Sequence, residues 1–176
     1  IENFRLMDDT FMSKVFEDKA CAALLLRVIL NRDDLTVVRG VSQFELKNLQ
    51  GRSARLDIYA VDEHGKQYDV EVQRSDDGAA PRRARYNSSL LDANLLNPGD
   101  KFDELPESYI IFITEHDVLK GGKPLYTVNR TISELNHAIF TDGSHIIYVN
   151  GEIRNGTALG ELMQDFFCKD PREMHY

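Results

Sequence analysis

Tryptophan is absent from this chain of 176 residues, cysteine occurs twice and histidine five times, and each scarcity closes a chemical route. Cys21 and Cys168 have no Cys-x-x-Cys spacing and sit in separate apolar helical patterns, so they read as buried thiols of a reducing compartment and not as a disulfide framework. His64, His116, His137, His145 and His175 are scattered without His-x-x-x-His or Cys/His spacing, which argues against zinc. Any metal held here needs oxygen ligands. No run approaches the roughly 18 to 20 apolar residues that span a bilayer, and the N-terminus lacks the sections of a signal peptide. The expected setting is therefore the cytoplasm, with no membrane partner.

Positive charge is also in short supply. Lys and Arg number 21 against 29 Asp and Glu, a net charge of −8, which counts against non-specific nucleic-acid binding by the surface as a whole. Yet Arg52, Arg55, Arg74, Arg82, Arg83 and Arg85 fall within one short region, enough for a local basic surface on an acidic protein. With 42% apolar and 28% charged residues, residues 1–176 read as one globular domain. The opening Ile1 makes it a candidate piece of a longer chain, and a homo-oligomer is compatible with the sequence.

Apolar residues at Phe11, Val15, Ala22, Leu25, Leu26 and Ile29 predict a first helix over about Thr10 to Asn31, with Asp8 or Asp9 as its cap. Leu35 to Leu46 reads as a strand with a bulge at Gly40. Arg55–Val61 and Tyr68–Arg74 are strands of a hairpin. A second helix spans Pro81 to Leu96, with Ala84, Leu91 and Leu95 on its buried stripe. The run Tyr109–Thr114 is continuously apolar, as a central strand covered on both faces would be. Tyr126–Ile132 and His145–Val149 read as later strands, and Ala158–Cys168 as a closing helix. This order predicts an α/β core in which a mixed sheet lies between helices.

The hairpin carries the chemistry. Alternation sets Leu56, Ile58 and Ala60 on one face of its first strand and Arg55, Asp57 and Tyr59 on the other; in the second, Tyr68, Val70 and Val72 oppose Asp69, Glu71 and Gln73. A three-residue loop of Glu63, His64 and Gly65, with Gly65 left-handed, pairs Asp62 with Lys66. Counting back from that pair sets Asp57 across from Glu71. Like charges so placed are destabilising, and two readings follow: a hard divalent cation compensates them, or the pair sits on a solvated polar face beside Arg55 or Arg74. Retaining glycosidases also set two carboxyls about 5 to 5.5 Å apart, but sugar sites favour aromatic platforms, and arginine neighbours suit phosphate.

At RLDIY and DVEVQ the chain resembles the PD-(D/E)XK nuclease superfamily, and within it the Rpn family of recombination-promoting nucleases and transposases. The resemblance extends through DDTFMSKVF, ARLDIYAVDEHGKQYDVEVQR, RRARYNSSLLDANLLNPGD and YIIFITEHD. It implies a restriction-endonuclease-like α-β-β-β-α-β core with extra C-terminal strands and a helix. It further implies an Mg²⁺-dependent DNA endonuclease, with Mn²⁺ as substitute, connected with recombination or mobile-element movement. Asp57 and Glu71 then take the positions of the metal-binding acids, with the Val72 carbonyl, and Gln73 the position usually held by Lys. Leu56 stands where the motif has Pro. Gln73 cannot be a general base; it can orient and hydrogen-bond.

On that resemblance Arg82, Arg83 and Arg85 are candidates to grip phosphate, the other reading being a solvated helix start. Tyr86 is a candidate substrate contact or a packing residue, and Glu17 an additional acid or an exposed helix charge. The competing function is a catalytically silent nuclease-fold module that binds nucleic acid or protein.

Overall fold

The computed structural model describes residues 5–176. Its elements, in chain order, are α1 (Asp9–Val15), α2 (Lys19–Leu30), β1 (Val37–Leu46), β2 (Ala54–Asp62), β3 (Gln67–Gln73), α3 (Pro81–Ala93), β4 (Ser108–Thr114), β5 (Leu125–Val128), β6 (Thr131–Ile132), β7 (Ala138–Ile139), β8 (Ser144–Asn150) and α4 (Ala158–Phe167). Among the described residues no helix is long and apolar enough to cross a membrane.

The first helix of the sequence reading is two helices. Apolar periodicity runs through Phe16, but Asp18 starts the chain afresh: its carboxylate accepts the Ala20 N–H at 2.7 Å and caps α2, satisfying a donor that no earlier turn can reach. Asp8 stands at the cap position of α1, yet its carboxylate accepts from the Arg5 N–H and pairs with Arg74 at 3.1 Å.

The main sheet has the order β1-β2-β3-β4-β8-β5. β1, β2 and β3 form an antiparallel meander, β3-β4-β8 are parallel, and β5 runs antiparallel along β8. Parallel pairing of β3 with β4 requires a crossover, and α3 supplies it. This is the mixed sheet between helices that the element order predicts. Two boundaries differ: β5 ends at Val128, and the rest of the strand expected through Ile132 leaves the sheet to pair as β6 with β7. The irregularity in β1 falls between Val37 and Arg39, whereas Gly40 pairs regularly with Ala60.

The hairpin loop closes as counted. The Asp62 N–H donates to the Lys66 carbonyl at 3.1 Å, Gly65 has φ +79°, and the ladder runs from Val61–Gln67 to Ile58–Val70. Two cores flank the sheet. On one side α1, α2 and α4 pack on Ile58, Ala60, Val70, Val72, Ile111 and Ile113. On the other, Ala84, Leu90 and Leu91 of α3 cover Tyr59, Ile110, Phe112 and Tyr148. Leu56 belongs to this second core, against strict alternation. Gln43, opposite Asp57 in the β1–β2 register, has φ 53° and drops out of the pairing, so the pleat is interrupted there.

Because the Asp18 cap decides where α2 begins, Asp18→Ala should lower stability by about 1 kcal/mol. Urea unfolding measures it, and an unchanged midpoint would mean that the helix start is set by packing of Phe16 alone.

Candidate metal and phosphate site

Alternation along β3 turns Asp69, Glu71 and Gln73 toward α3, so the polar face is not solvated. Asp69 and Glu71 are both 0% exposed. Taking a carboxylate out of water costs several kcal/mol unless partners offset it, and α3 brings those partners. Arg83 and Asn87, one helical turn apart on the same face, both reach Glu71. Arg83 Nη2 lies 2.5 Å from Glu71 Oε2, and Asn87 Nδ2 donates to Glu71 Oε1 at 3.3 Å and to Asp69 Oδ2 at 3.2 Å. Asp69 Oδ1 has no hydrogen-bond partner among the described residues.

Asp57 reaches the same point from β2. The ladder with β3 ends at Ile58–Val70, so the expected direct pairing of Asp57 with Glu71 is replaced: the Asp57 carboxylate accepts the Val72 N–H at 3.0 Å, taking the place of a strand partner. In an extended strand the N–H and C=O of one residue point the same way, so the Val72 carbonyl faces the Asp57 side. The Gln73 carbonyl faces the other, where it accepts from the Glu115 N–H at 3.0 Å. Gln73 Nε2 joins the two acids, at 3.0 Å from Glu71 Oε2 and 3.5 Å from Asp57 Oδ2. Its Oε1 accepts from Arg83 Nη1 at 3.2 Å.

Burial, and after it the Asp57 charge, push the Glu71 carboxyl up to about 7, against the pull of Arg83, Asn87 and Gln73. Burial, followed by the Glu71 charge, holds Asp69 well above the carboxylate range. Both shifts have the cause typical of functional carboxylates, desolvation together with a like-charged neighbour.

The site opens into a cleft of about 650 Å³ lined by Arg52, Arg55, Asp57, Arg82, Arg83 and Tyr86, among others. Arg82 is exposed there. Arg85 is exposed as well but does not line the cleft. Tyr86 anchors the β1–β2 connection: its hydroxyl donates to the Arg52 carbonyl and accepts from Asn48 Nδ2. That fixes Arg52 at the rim. Glu17 stands elsewhere, exposed and paired with Lys14 at 2.9 Å, with Ser42 also donating to it. Among the described residues no group of three or more His, Cys, Asp or Glu gathers to hold a metal, so Glu17 forms no carboxylate cluster with Asp57 and Glu71.

Asn87 escaped the sequence reading, although its spacing from Arg83 places both on one helix face. Gly78 escaped it too. Its carbonyl accepts from Arg83 Nη1 at 2.8 Å, and a Cβ there would overlap the Gln73 side-chain oxygen.

The family model described as PD-(D/E)XK nuclease family transposase matches residues 17–155, a span holding the whole of this site. The chain belongs to that family. No curated protein and no solved structure matches it. For a PD-(D/E)XK nuclease family chain, a mixed sheet with helices on both faces is the restriction-endonuclease-like architecture, and membership carries a nuclease-like or transposase-related role.

Between about pH 4.5 and 7 the folded protein keeps a proton on Glu71 that the unfolded chain has released, so stability falls as pH rises through that window. Glu71→Gln removes this loss. Measured against its own stability at pH 4, the variant should lose less by pH 8 than the native protein does, whatever the absolute cost of replacing the carboxylate beside Arg83. Denaturant unfolding across pH checks this; an identical pH dependence in the two proteins would refute the elevated carboxyl.

Proposed function

We propose that the protein is a divalent-metal-dependent DNA endonuclease. The observation that carries this reading is the convergence of the Asp57 and Glu71 carboxylates on Gln73 Nε2, at the base of an arginine-lined cleft.

The donor set fits a hard cation. Two carboxylates, with the Val72 carbonyl on the same side, are all-oxygen ligands, and Mg²⁺ is commonly held by one or two carboxylates with waters and substrate phosphate making up the rest. Glu71, buried and repelled by the half-buried Asp57 beside it, fits a dipositive ion better than solvent. Mn²⁺ fits the same set. Bound there, the cation would polarise the scissile phosphate and lower the pKa of water.

The remaining work falls to side chains. Gln73 takes up no proton; its amide nitrogen spans the two acids and its oxygen faces Arg83, so it orients the groups around the attacking water. The positive charge that a Lys would place at position 73 comes from α3 instead, as the Arg83 guanidinium. A fixed cation beside developing phosphate charge lowers the barrier electrostatically. Arg52, Arg55 and Arg82 face the cleft and grip backbone phosphates, independently of base sequence. On this reading the acidic net charge is no obstacle, because only the cleft meets DNA. The family description, a nuclease family transposase, supports a role in recombination or mobile-element movement.

The purified protein should nick supercoiled plasmid with Mg²⁺ or Mn²⁺ and lose activity with chelator. Asp57→Ala and Glu71→Ala should each reduce cleavage by about 100-fold or more while keeping the native circular dichroism. Equal cleavage by all three proteins would assign the activity to a contaminant. DNA binding without any cleavage would identify a catalytically silent binding module.

A further inference from the structure

The Glu71 carboxylate has two claimants. One is the cation of the proposed function, on which this inference rests. The other is Arg83, whose Nη2 is 2.5 Å from Oε2. Every oxygen of Glu71 already faces a donor, since Gln73 Nε2 shares Oε2 at 3.0 Å and Asn87 Nδ2 holds Oε1 at 3.3 Å. Of these donors only Arg83 carries charge. A dipositive ion bound to Glu71 would sit directly beside a guanidinium, against a carboxylate that is itself fully buried, and like charges at such short range repel.

Arg83 has somewhere to go. Its Nη1 stands on two neutral acceptors, the Gly78 carbonyl at 2.8 Å and Gln73 Oε1 at 3.2 Å, and the first of these is independent of Glu71. Its side chain is 37% exposed, while Glu71 is fully buried, so the guanidinium occupies the boundary between acid and cleft. Rotation about the Nη1 footing would free Nη2 toward the cleft, where phosphate oxygens are its natural partners.

We propose that Arg83 is an exchangeable counter-ion: it neutralises Glu71 until a divalent cation takes that carboxylate, and then passes to a substrate phosphate. Metal and DNA thereby favour one another's binding, because each relieves what the other would leave uncompensated. By linkage the favour is reciprocal.

The test uses Mn²⁺ calorimetry on the whole chain, with and without a phosphorothioate duplex that resists cleavage. In the native protein the duplex should tighten Mn²⁺ binding by about tenfold. Arg83→Gln removes the competitor, so Mn²⁺ alone should bind about tenfold more tightly than to the native chain, with the effect of duplex mostly gone. Arg83→Lys keeps the charge without the forked footing and should fall between them; it decides the matter should the Gln variant fail to fold. If the native protein binds Mn²⁺ and the variants bind it equally or more weakly, the exchange is wrong and the metal reading stands. If no protein binds Mn²⁺, even with duplex, the metal reading falls and the exchange with it.

Discussion

The ion pair between Glu71 of β3 and Arg83 of α3 is the interaction around which the site is organised. A strand whose inward face alternates Asp, Glu and Gln does not bury under a helix on hydrophobic grounds, and each desolvated carboxylate opposes folding. The helix settles there because apolar residues on either side of the polar strip force it to: Leu90, Leu91 and Ala84 pack on Ile110, Phe112 and Tyr148. Arg83 and Asn87 then meet the acids that this packing has enclosed. Pro81 in the first turn of α3 is pre-organised for the helix start, and the missing side chain at Gly78 leaves room for Gln73 beneath it. Hydrophobic packing positions the helix, and the polar contacts determine what can be done under it.

The hairpin was the most legible part of the chain because its determinants are local. Alternation assigned the faces of β3, and a left-handed Gly65 set the register before any long-range contact was needed. β4 was legible for the opposite reason: Ile110 to Ile113 are 0% exposed, and a strand buried on both sides shows no alternation to misread. The α1–α2 break was not legible, since Phe16 continues the apolar rhythm while Asp18, with equal claim to be an exposed helix charge, ends it. Leu56 was misassigned because alternation changes face between Leu56 and Ile58, opposite Gln43, whose φ of 53° is one that Gln rarely adopts.

The site was half legible for a related reason. Periodicity places Asp57 and Glu71 on one face of a hairpin, but it cannot say what covers that face. Solvation and burial were both open, and they have opposite chemical meanings: solvated acids carry their charges cheaply, whereas buried ones are driven to find a cation or a proton. The enclosure by α3 takes Glu71 out of solvent and leaves Asp57 half-buried at the cleft. It also explains why Asn87 matters, as a neutral donor shared by Asp69 and Glu71, at a position where pattern alone suggests only another helix residue.

Charge at the cleft follows from the same enclosure. Arg52, Arg55 and Arg82 border it, but Asp57 and Asp77 border it too, and Glu71 lies just behind. Arg83 is largely spent on Glu71, so its attraction for an incoming polyanion is muted. On the proposed reading a divalent cation changes that balance twice, once by its own charge and once by releasing the guanidinium. On that reading a protein with a net charge of −8 presents its most basic cleft when the cation is bound. The placement of an arginine on the helix, in place of a lysine at position 73, makes such coupling feasible: a lysine fixed on β3 would share the sheet with the acids, whereas a side chain on α3 stands between acid and substrate and can turn from one to the other.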